Sequence, residues 1–350
     1  MRYTSFGRRT GLRVSEYALG TGNFGTAWGG GAEQPEARRI FDRFAGAGGT
    51  FIDSADVYSD GDSERMLGEF LAADRGHFVV ATKFGMSAGK RDISTTGVSR
   101  KNMIQSVEAS LSRLRTDYVD LLWAHWPDPL TPTEEVMAGF DQLVRAGKVL
   151  HVGLSNFPAW QAAHAATLAD LRGWAPLTAI QFEYSLVERT GDRELLPMAR
   201  ALGLGVNLWS PLGGGLLTGK YRTTTTGRLT DWNGGVLRRE DNEQRTAVVD
   251  AVLDIARSLD VSPAQVAVAW LRTVPSTGTA VVPIIGPRDV PQLDDYLAAL
   301  NLTLPDADLR RLNEISAVPL GAPHEATARN GDALLGGDGK AVDLPLLPVA

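Results

Sequence analysis

The sequence predicts an α/β protein folded as a (β/α)8 TIM barrel. Eight short runs rich in Val, Ile, Leu and Phe alternate with longer segments of helical spacing, and this alternation is typical of a parallel sheet. No break in composition and no linker divides the 350 residues into halves. An open, doubly wound sheet is the competing architecture, and the residues that end the strands favour the barrel.

The eight apolar runs are predicted to be buried strands. Their apolar character is nearly continuous, which is typical of parallel strands covered by helices on both faces. The predicted strands span residues 17–19, 50–52, 78–81, 119–124, 149–154, 179–182, 206–209 and 280–285.

Helices are predicted between these strands from apolar spacing and from their terminal residues. Pro35 stands in the first turn of one helix, Ser99 precedes another as an N-cap, and Gly147 follows a third at the C′ position. The predicted helices span residues 35–47, 63–72, 99–115, 133–146, 157–171, 192–201, 242–258, 263–272 and 287–300.

Polar, titratable or glycine residues follow nearly every predicted strand. Asp53 ends the second strand, Lys83 follows the third and His125 follows the fourth. In a barrel the carboxyl ends of all strands open onto one face, where active sites are built. We therefore expect these side chains in one site, with Tyr58 five residues beyond Asp53. At or just after the ends of the other strands lie Gly22, Asn23, Ser155, Asn156, Gln181, Ser210 and Gly286.

Composition excludes several classes of function. The net charge of −6 argues against a nucleic acid or an anionic membrane as the main partner. The chain has no cysteine, which removes disulfides, thiolate nucleophiles and Cys-ligated metals. The N-terminus lacks an apolar signal-peptide core and no apolar run approaches 18 residues, so we expect a cytoplasmic protein without a membrane anchor.

Residues 20–25 spell GTGNFG, a literal G-x-G-x-x-G after a predicted strand. The dinucleotide-binding fingerprint also requires a helix that begins at these glycines. Here the residues up to Gly31 read as loop, and the next helix begins only near Pro35. We therefore interpret the segment as a glycine-rich loop at the barrel mouth, where a ligand can approach the backbone closely.

The residues Asp53, Tyr58, Lys83 and His125 form a set with a chemical rationale. A tyrosine with an ordinary pKa near 10 is a poor acid at neutral pH. A neighbouring ammonium lowers that pKa, an aspartate holds the lysine charged, and a histidine can orient a carbonyl oxygen. Such a site can protonate an oxygen while hydride arrives from elsewhere. Because no side chain delivers hydride, the set implies a nicotinamide cofactor.

At these residues the sequence resembles the aldo-keto reductase superfamily. The similar segments run in family order along nearly the whole chain. The resemblance implies a barrel closed at its base by an N-terminal hairpin over residues 2–14, one domain over residues 1–316 and a C-terminal extension over 317–350. The segments are FIDSADVYSDGDSERMLGEFL, VVATKFG, SLSRLRTDYVDLLWAHWPDP, GKVLHVGLSNF, IQFEYSLVER, VNLWSPLGGGLLTGKY and PIIGPRDVPQLDD.

The resemblance implies reduction of an aldehyde or ketone to an alcohol, with Tyr58 as general acid and Asp53, Lys83 and His125 as the other catalytic residues. It also implies a set of cofactor contacts, with Trp209 stacked beneath the nicotinamide ring. The expected cofactor residues are Gly22, Asn23, Asp53, Ser155, Asn156, Gln181, Trp209, Ser210, Pro211, Leu212, Gly213, Lys220, Arg228, Gly286, Arg288, Gln292 and Asp295.

The preferred cofactor by this resemblance is NADPH, with NADH as the alternative. Pro287 and Arg288 replace the Lys/Ser pattern of some family members at the 2′-phosphate, which leaves Arg288 as the expected partner of that group. Tyr296 stands where many members have an asparagine near the adenine.

Trp28 and Trp126 are expected to wall a substrate pocket with Tyr58 and His125, although ordinary packing accounts for the two tryptophans equally well. The polar segment 221–245 is either a flap over the site or a long surface loop. The C-terminal extension either crosses the barrel mouth, lies against a partner subunit or is partly disordered.

Two other functions compete with a reductase. A metal-dependent barrel enzyme is disfavoured because the five histidines form no H-x-H or H-x-x-x-H pair. The chain also resembles the potassium-channel β-subunits, a regulatory branch of the superfamily whose members commonly lack the histidine that is present here as His125. The expected partner is a small carbonyl substrate, and the sequence leaves monomer and homo-oligomer equally open.

Overall fold

The computed structural model describes residues 1–87, 92–224, 239–274 and 279–343. Eight parallel strands close into a barrel in the order β10-β3-β4-β5-β6-β7-β8-β9. Because β10 pairs with both β3 and β9, the sheet has no open edge, and the predicted barrel is confirmed over the open sheet. The strands are β1 Tyr3–Ser5, β2 Arg13–Ser15, β3 Ala18–Gly20, β4 Phe51–Asp53, β5 Val79–Phe84, β6 Val119–Ala124, β7 Val149–Ser155, β8 Leu177–Glu183, β9 Gly205–Trp209 and β10 Val281–Ile285.

Helices surround the barrel, and the first nine of those described follow the order that the sequence predicts, whereas the three after residue 300 are not predicted. They are α1 Gln34–Gly46, α2 Asp62–Phe70, α3 Arg100–Leu114, α4 Thr133–Arg145, α5 Ala159–Arg172, α6 Leu195–Leu202, α7 Glu243–Leu259, α8 Pro263–Leu271, α9 Val290–Ala298, α10 Asp306–Ile315, α11 His324–Arg329 and α12 Gly331–Leu334.

Two predicted helix starts are wrong by about three residues. The α9 helix begins at Val290 rather than 287, because the Asp289 side chain accepts a hydrogen bond from the Gln292 N–H and caps the helix there. The α6 helix begins at Leu195 rather than 192, because a separate 3-10 turn occupies Thr190–Asp192. The Ser99 cap of α3 is where the sequence predicts it, since its hydroxyl accepts from the Asn102 N–H.

Apolar side chains form two layers, one between the strands and the helices and one inside the barrel. The β1–β2 hairpin supplies Phe6 and Val14 to the inner layer, and both are fully buried. Phe6 packs edge-on against Phe51 with ring centroids 5.3 Å apart. A Cβ at Gly205 would lie 2.9 Å from the Phe6 ring, so the glycine leaves room for that ring. The hairpin therefore closes the barrel base, and the opposite face stays open.

The C-terminal segment lies beside the start of α6. Arg193 donates to the carbonyl oxygen of Pro319 at 2.8 Å, and the His324 ring lies 2.8 Å from the Glu194 carboxylate. Among the described residues, none from 317 to 343 borders the cleft at the barrel mouth.

Candidate active site

A cleft of about 910 Å³ opens at the carboxyl ends of the barrel strands. This volume lies within the range of small-molecule and cofactor sites. The predicted residues that border it are Gly22, Asn23, Trp28, Asp53, Tyr58, His125, Trp126, Asn156, Gln181, Trp209, Ser210, Pro211, Leu212, Lys220, Gly286, Arg288, Gln292 and Asp295. Lys83, Ser155 and Gly213 lie behind this surface, and Arg228 falls outside the described residues.

Lys83 joins Asp53 and Tyr58 into one hydrogen-bonded group. Its ammonium donates to Asp53, to the Ser54 carbonyl oxygen at 2.7 Å and to the Tyr58 hydroxyl at 3.0 Å. Only 1% of the Lys83 surface is exposed. Burial lowers the pKa of Lys83, but Asp53 and Tyr58 outweigh burial and hold it above its ordinary value. The site therefore keeps a positive charge directly against the phenol oxygen.

Asp53 is held from two sides. One carboxylate oxygen accepts from Lys83, and the other accepts from the Gln181 amide at 2.9 Å. Asp53 is the last residue of β4 and Gln181 lies near the end of β8, so both side chains are at the barrel mouth. Both carboxylate oxygens of Asp53 are therefore hydrogen-bonded, which fixes the orientation of this side chain.

His125 extends this group toward the open side of the cleft. Its ring lies 6.2 Å from the Tyr58 ring at an interplanar angle of 80°. Burial, and then the charge of Lys83, lower the pKa of His125 well below its ordinary value of 6.5. The imidazole is consequently neutral at physiological pH, so it can hydrogen-bond to a carbonyl oxygen without adding a charge.

Asn156 connects the backbone of His125 with the side chain of Trp209. The Trp209 indole N–H donates to the Asn156 side-chain oxygen at 2.9 Å. The Asn156 amide nitrogen donates to the His125 carbonyl oxygen at 3.0 Å and to the Ser155 hydroxyl at 2.9 Å. Asn156 therefore orients the Trp209 ring and is itself hydrogen-bonded to the backbone of His125.

A glycine turn follows β9 at the far side of Trp209. Gly213, Gly214 and Gly215 all have positive φ, at 57°, 70° and 98°. A Cβ at Gly215 would lie 2.9 Å from Lys220 Cε, so the glycine leaves room for the lysine stem. This combination of close backbone and a cation suits a phosphate group. Gly213 itself faces Val187 instead of the cleft.

The far end of the cleft lies over the start of α9. The Arg288 N–H donates to the Gln292 side-chain oxygen at 3.1 Å, and the Asn23 amide donates to the Gly286 carbonyl oxygen at 2.7 Å. Asp295 accepts from Ser262 and Gln265 at 2.7 and 2.6 Å. The Asp295 carboxylate is thus anchored by α8, whereas the Arg288 guanidinium belongs to the cleft wall.

Aromatic rings surround the side of the cleft opposite the glycine turn. Trp28 packs edge-on against Tyr58 with centroids 5.8 Å apart, and Trp126 stacks on His125 at 6.4 Å. Sequence reasoning missed several lining residues, most of which are small or apolar and carry no distinctive chemistry in the sequence. They are Val57, Asp60, Met86, Ser87, Gly214, Gly215, Thr218, Ala264 and Ile284.

Two negative findings concern the described residues alone. No group of three or more His, Asp or Glu side chains is placed to hold a metal ion. No helix in the same part of the chain is long and apolar enough to cross a membrane.

Known proteins resemble this chain over most of its length. The model of the Aldo/keto reductase family matches residues 17–317. An uncharacterized oxidoreductase of Bacillus subtilis, YrpG, is 37% identical over 94% of this chain and all of its own length. The norsolorinic acid reductase stcV of Emericella nidulans is 35% identical over 89% of this chain and 81% of its own.

A relative named as a putative channel subunit is also similar. A putative voltage-gated potassium channel subunit beta of Schizosaccharomyces pombe is 31% identical over 88% of this chain and 91% of its own length. Family membership and the oxidoreductase names among the relatives support an oxidoreductase that acts on a small molecule and uses NAD(P)H. The chain belongs to the Aldo/keto reductase family.

Proposed function

We propose that the protein reduces an aldehyde or ketone to an alcohol with NADPH, and that Tyr58 is the general acid. The observation that carries this proposal is the hydrogen bond of 3.0 Å between the Lys83 ammonium and the Tyr58 hydroxyl, behind which Asp53 holds the lysine. The charge of Lys83 favours phenolate, which makes Tyr58 a stronger acid. Few structural roles require a buried ammonium against a phenol at the edge of a cleft.

The reaction needs a hydride at the carbonyl carbon and a proton at the carbonyl oxygen. The reduced nicotinamide supplies the hydride when it is bound. Tyr58 gives its proton to the oxygen, and the resulting phenolate is stabilised by Lys83 until a proton from solvent restores it. Neutral His125 donates a hydrogen bond to the same oxygen and orients the substrate.

The residues around the cleft fit such a cofactor. Trp209 offers a fixed aromatic face, the turn over Gly214 and Gly215 with Lys220 suits the pyrophosphate, and Arg288 lies at the far end. A guanidinium matches a phosphate dianion in charge and geometry. This supports NADPH over NADH.

The regulatory alternative, an NADPH-binding subunit with little turnover, is supported by the similarity to the putative channel subunit. The complete group of Asp53, Tyr58, Lys83 and His125 favours the enzyme. A purified protein that binds NADPH and turns over no carbonyl in a broad panel would support the regulatory function.

Replacing Tyr58 tests the enzymatic proposal. Tyr58→Phe removes the acidic proton and keeps the ring, so we expect turnover to fall by at least about a hundredfold, the scale of general acid catalysis. The Kd of NADPH, measured by fluorescence titration, is expected to stay nearly the same. The matched control is Tyr3→Phe, since Tyr3 lies at the barrel base and is 55% exposed. Full turnover by Tyr58→Phe would refute the role of Tyr58.

A further inference from the structure

A buried carboxyl group lies directly behind the acid–base residues and has no part in the proposed reaction. Asp56 stands between Asp53 and Tyr58, and its backbone N–H donates to the carbonyl oxygen of Lys83 at 3.1 Å. The Ser54 N–H donates to the Ala81 carbonyl oxygen at 2.9 Å, so the β4–β5 pairing continues past the end of β4. The Asp56 backbone is thus tied to the residue whose ammonium contacts Tyr58.

The Asp56 side chain is sealed from solvent and incompletely paired. It is only 4% exposed, and its Oδ1 atom has no hydrogen-bond partner among the described residues. A carboxylate in such a place is costly, because a buried charge needs both a counter-charge and hydrogen bonds. A neutral carboxylic acid is tolerated far better.

The charged groups that face Asp56 already have partners. They are Glu64 from α2, Arg113 from α3 and Lys83 from β5. Glu64 is fully buried and accepts from Arg113 at 2.6 Å and from the Thr82 hydroxyl at 2.5 Å. Lys83 is paired with Asp53. Two cations, Arg113 and Lys83, therefore face three carboxyl groups. Each cation is paired with another carboxylate, so Asp56 has no cation of its own.

The pKa of Asp56 agrees with this count of cations and carboxyl groups. Burial first, and then the negative charge of Glu64, raise the pKa of Asp56 to about 8, against the weaker opposing effects of Arg113 and Lys83. The carboxyl group thus holds a proton at neutral pH and loses it at mildly alkaline pH.

We infer that Asp56 is a positioning residue that acts on Tyr58 through Lys83: as a neutral acid it leaves the full positive field of Lys83 on the phenol, and as an anion it cancels part of that field. This inference rests on the proposed role of Tyr58. Ionised Asp56 makes the Tyr58 phenolate less stable, so Tyr58 keeps its proton to higher pH. Asp56 and Tyr58 then titrate as a coupled pair.

The test is the titration of Tyr58 with and without Asp56. Phenolate absorbance is recorded against pH for the wild type and for Tyr58→Phe, and their difference isolates Tyr58 from the six other tyrosines. The same pair of curves is then measured with Asp56→Asn, which keeps the shape of a neutral acid. We expect Tyr58 to titrate about 1 pH unit lower in the Asp56→Asn background, the lower end of the effect of a neighbouring charge. Unchanged titration would overturn the inference.

A control and a second observable separate tuning from a structural effect. Asp62→Asn removes a carboxylate that is paired with Arg65 and 54% exposed, and it should leave the Tyr58 titration where it is. Infrared spectra should show a protonated carboxyl band that disappears between pH 7 and 9 in the wild type and is absent in Asp56→Asn. If Asp56→Asn does not fold, Glu64→Gln should shift the loss of that band to lower pH, and a band that does not move would refute the inference.

The two proposals fail in different ways. If the titration shifts as expected but no carbonyl is reduced, the role of Asp56 stands and the proposed function is wrong. If turnover depends on Tyr58 but Asp56→Asn leaves the titration of Tyr58 unchanged, only the inference about Asp56 fails.

Discussion

The two sides of the cleft differ in how deeply their polar groups are buried. On the proposed acid–base side, Lys83 and Asp53 are almost fully buried and form hydrogen bonds with each other, with Gln181 and with Tyr58. On the proposed nucleotide side, the wall is a glycine turn with two half-buried basic residues, Lys220 and Arg288. The first arrangement is preorganised for chemistry, and the second provides backbone and charge for a ligand.

This difference separates the consequences of substitution. A change on the acid–base side leaves a buried group without its partner, which alters stability as well as turnover. A change on the proposed nucleotide side is expected to act chiefly on the affinity for the cofactor.

The largest effect is expected from Lys83→Met. The substitution removes the charge that acidifies Tyr58 and leaves Asp53 buried without its cation. We expect turnover to fall at least about a hundredfold and the free energy of unfolding to fall by about 3–5 kcal/mol. Steady-state kinetics and urea denaturation measure the two effects.

Lys148→Met is the matched control, because Lys148 pairs with Glu108 on the surface and is 37% exposed. Its loss should lower stability by no more than about 1 kcal/mol, as for exposed ion pairs. If Lys83→Met were as stable as this control, the acid–base side would not be the tightly coupled unit described above.

Arg288→Ala should have a smaller effect of a different kind, because it should change the affinity for the cofactor. The loss of a charge-assisted hydrogen bond to phosphate weakens binding by about tenfold or more. The Kd of NADPH should rise accordingly, while that of NADH, which lacks the 2′-phosphate, should stay unchanged. Arg310→Ala on the exposed face of α10 serves as the control. Equal losses for both cofactors would show that Arg288 does not read the 2′-phosphate.

The smallest effect is a pH dependence of stability from His125. Its pKa in the folded protein lies well below 6.5 because of burial and the charge of Lys83. The unfolded chain therefore binds a proton near pH 6.5 that the folded chain excludes, and folding stability falls as pH drops below that value. Denaturation midpoints at pH 5 and 7.5 should differ less in His125→Gln than in the wild type.

His164→Gln is the matched control for this experiment, since His164 is 42% exposed. It should retain the wild-type difference between the two pH values. The same dependence in all three proteins would mean that His125 does not titrate in this way.

Much of this architecture is readable from the sequence because strands and their ends follow local rules. The apolar runs predict all eight barrel strands, and the chemistry of Asp53, Tyr58 and Lys83 predicts that they meet. The contact of Asn156 with Trp209 is not readable, because it depends on the left-handed backbone of Asn156, with φ of 63°. The burial of Asp56 also escaped, since its neighbours Glu64 and Arg113 come from helices whose faces one sequence does not orient.

The hairpin at the barrel base has a consequence for the order of synthesis. Phe6 leaves the ribosome about 200 residues before Gly205, the residue whose missing side chain receives its ring, which at ordinary translation rates is an interval of about 10–40 s. Until β9 follows, the apolar side of the hairpin has only the early strands, such as the one bearing Phe51, to cover it. The segment made first thus completes its contact with Gly205 only after more than half of the 350 residues have been made, and until then the base of the barrel is not closed.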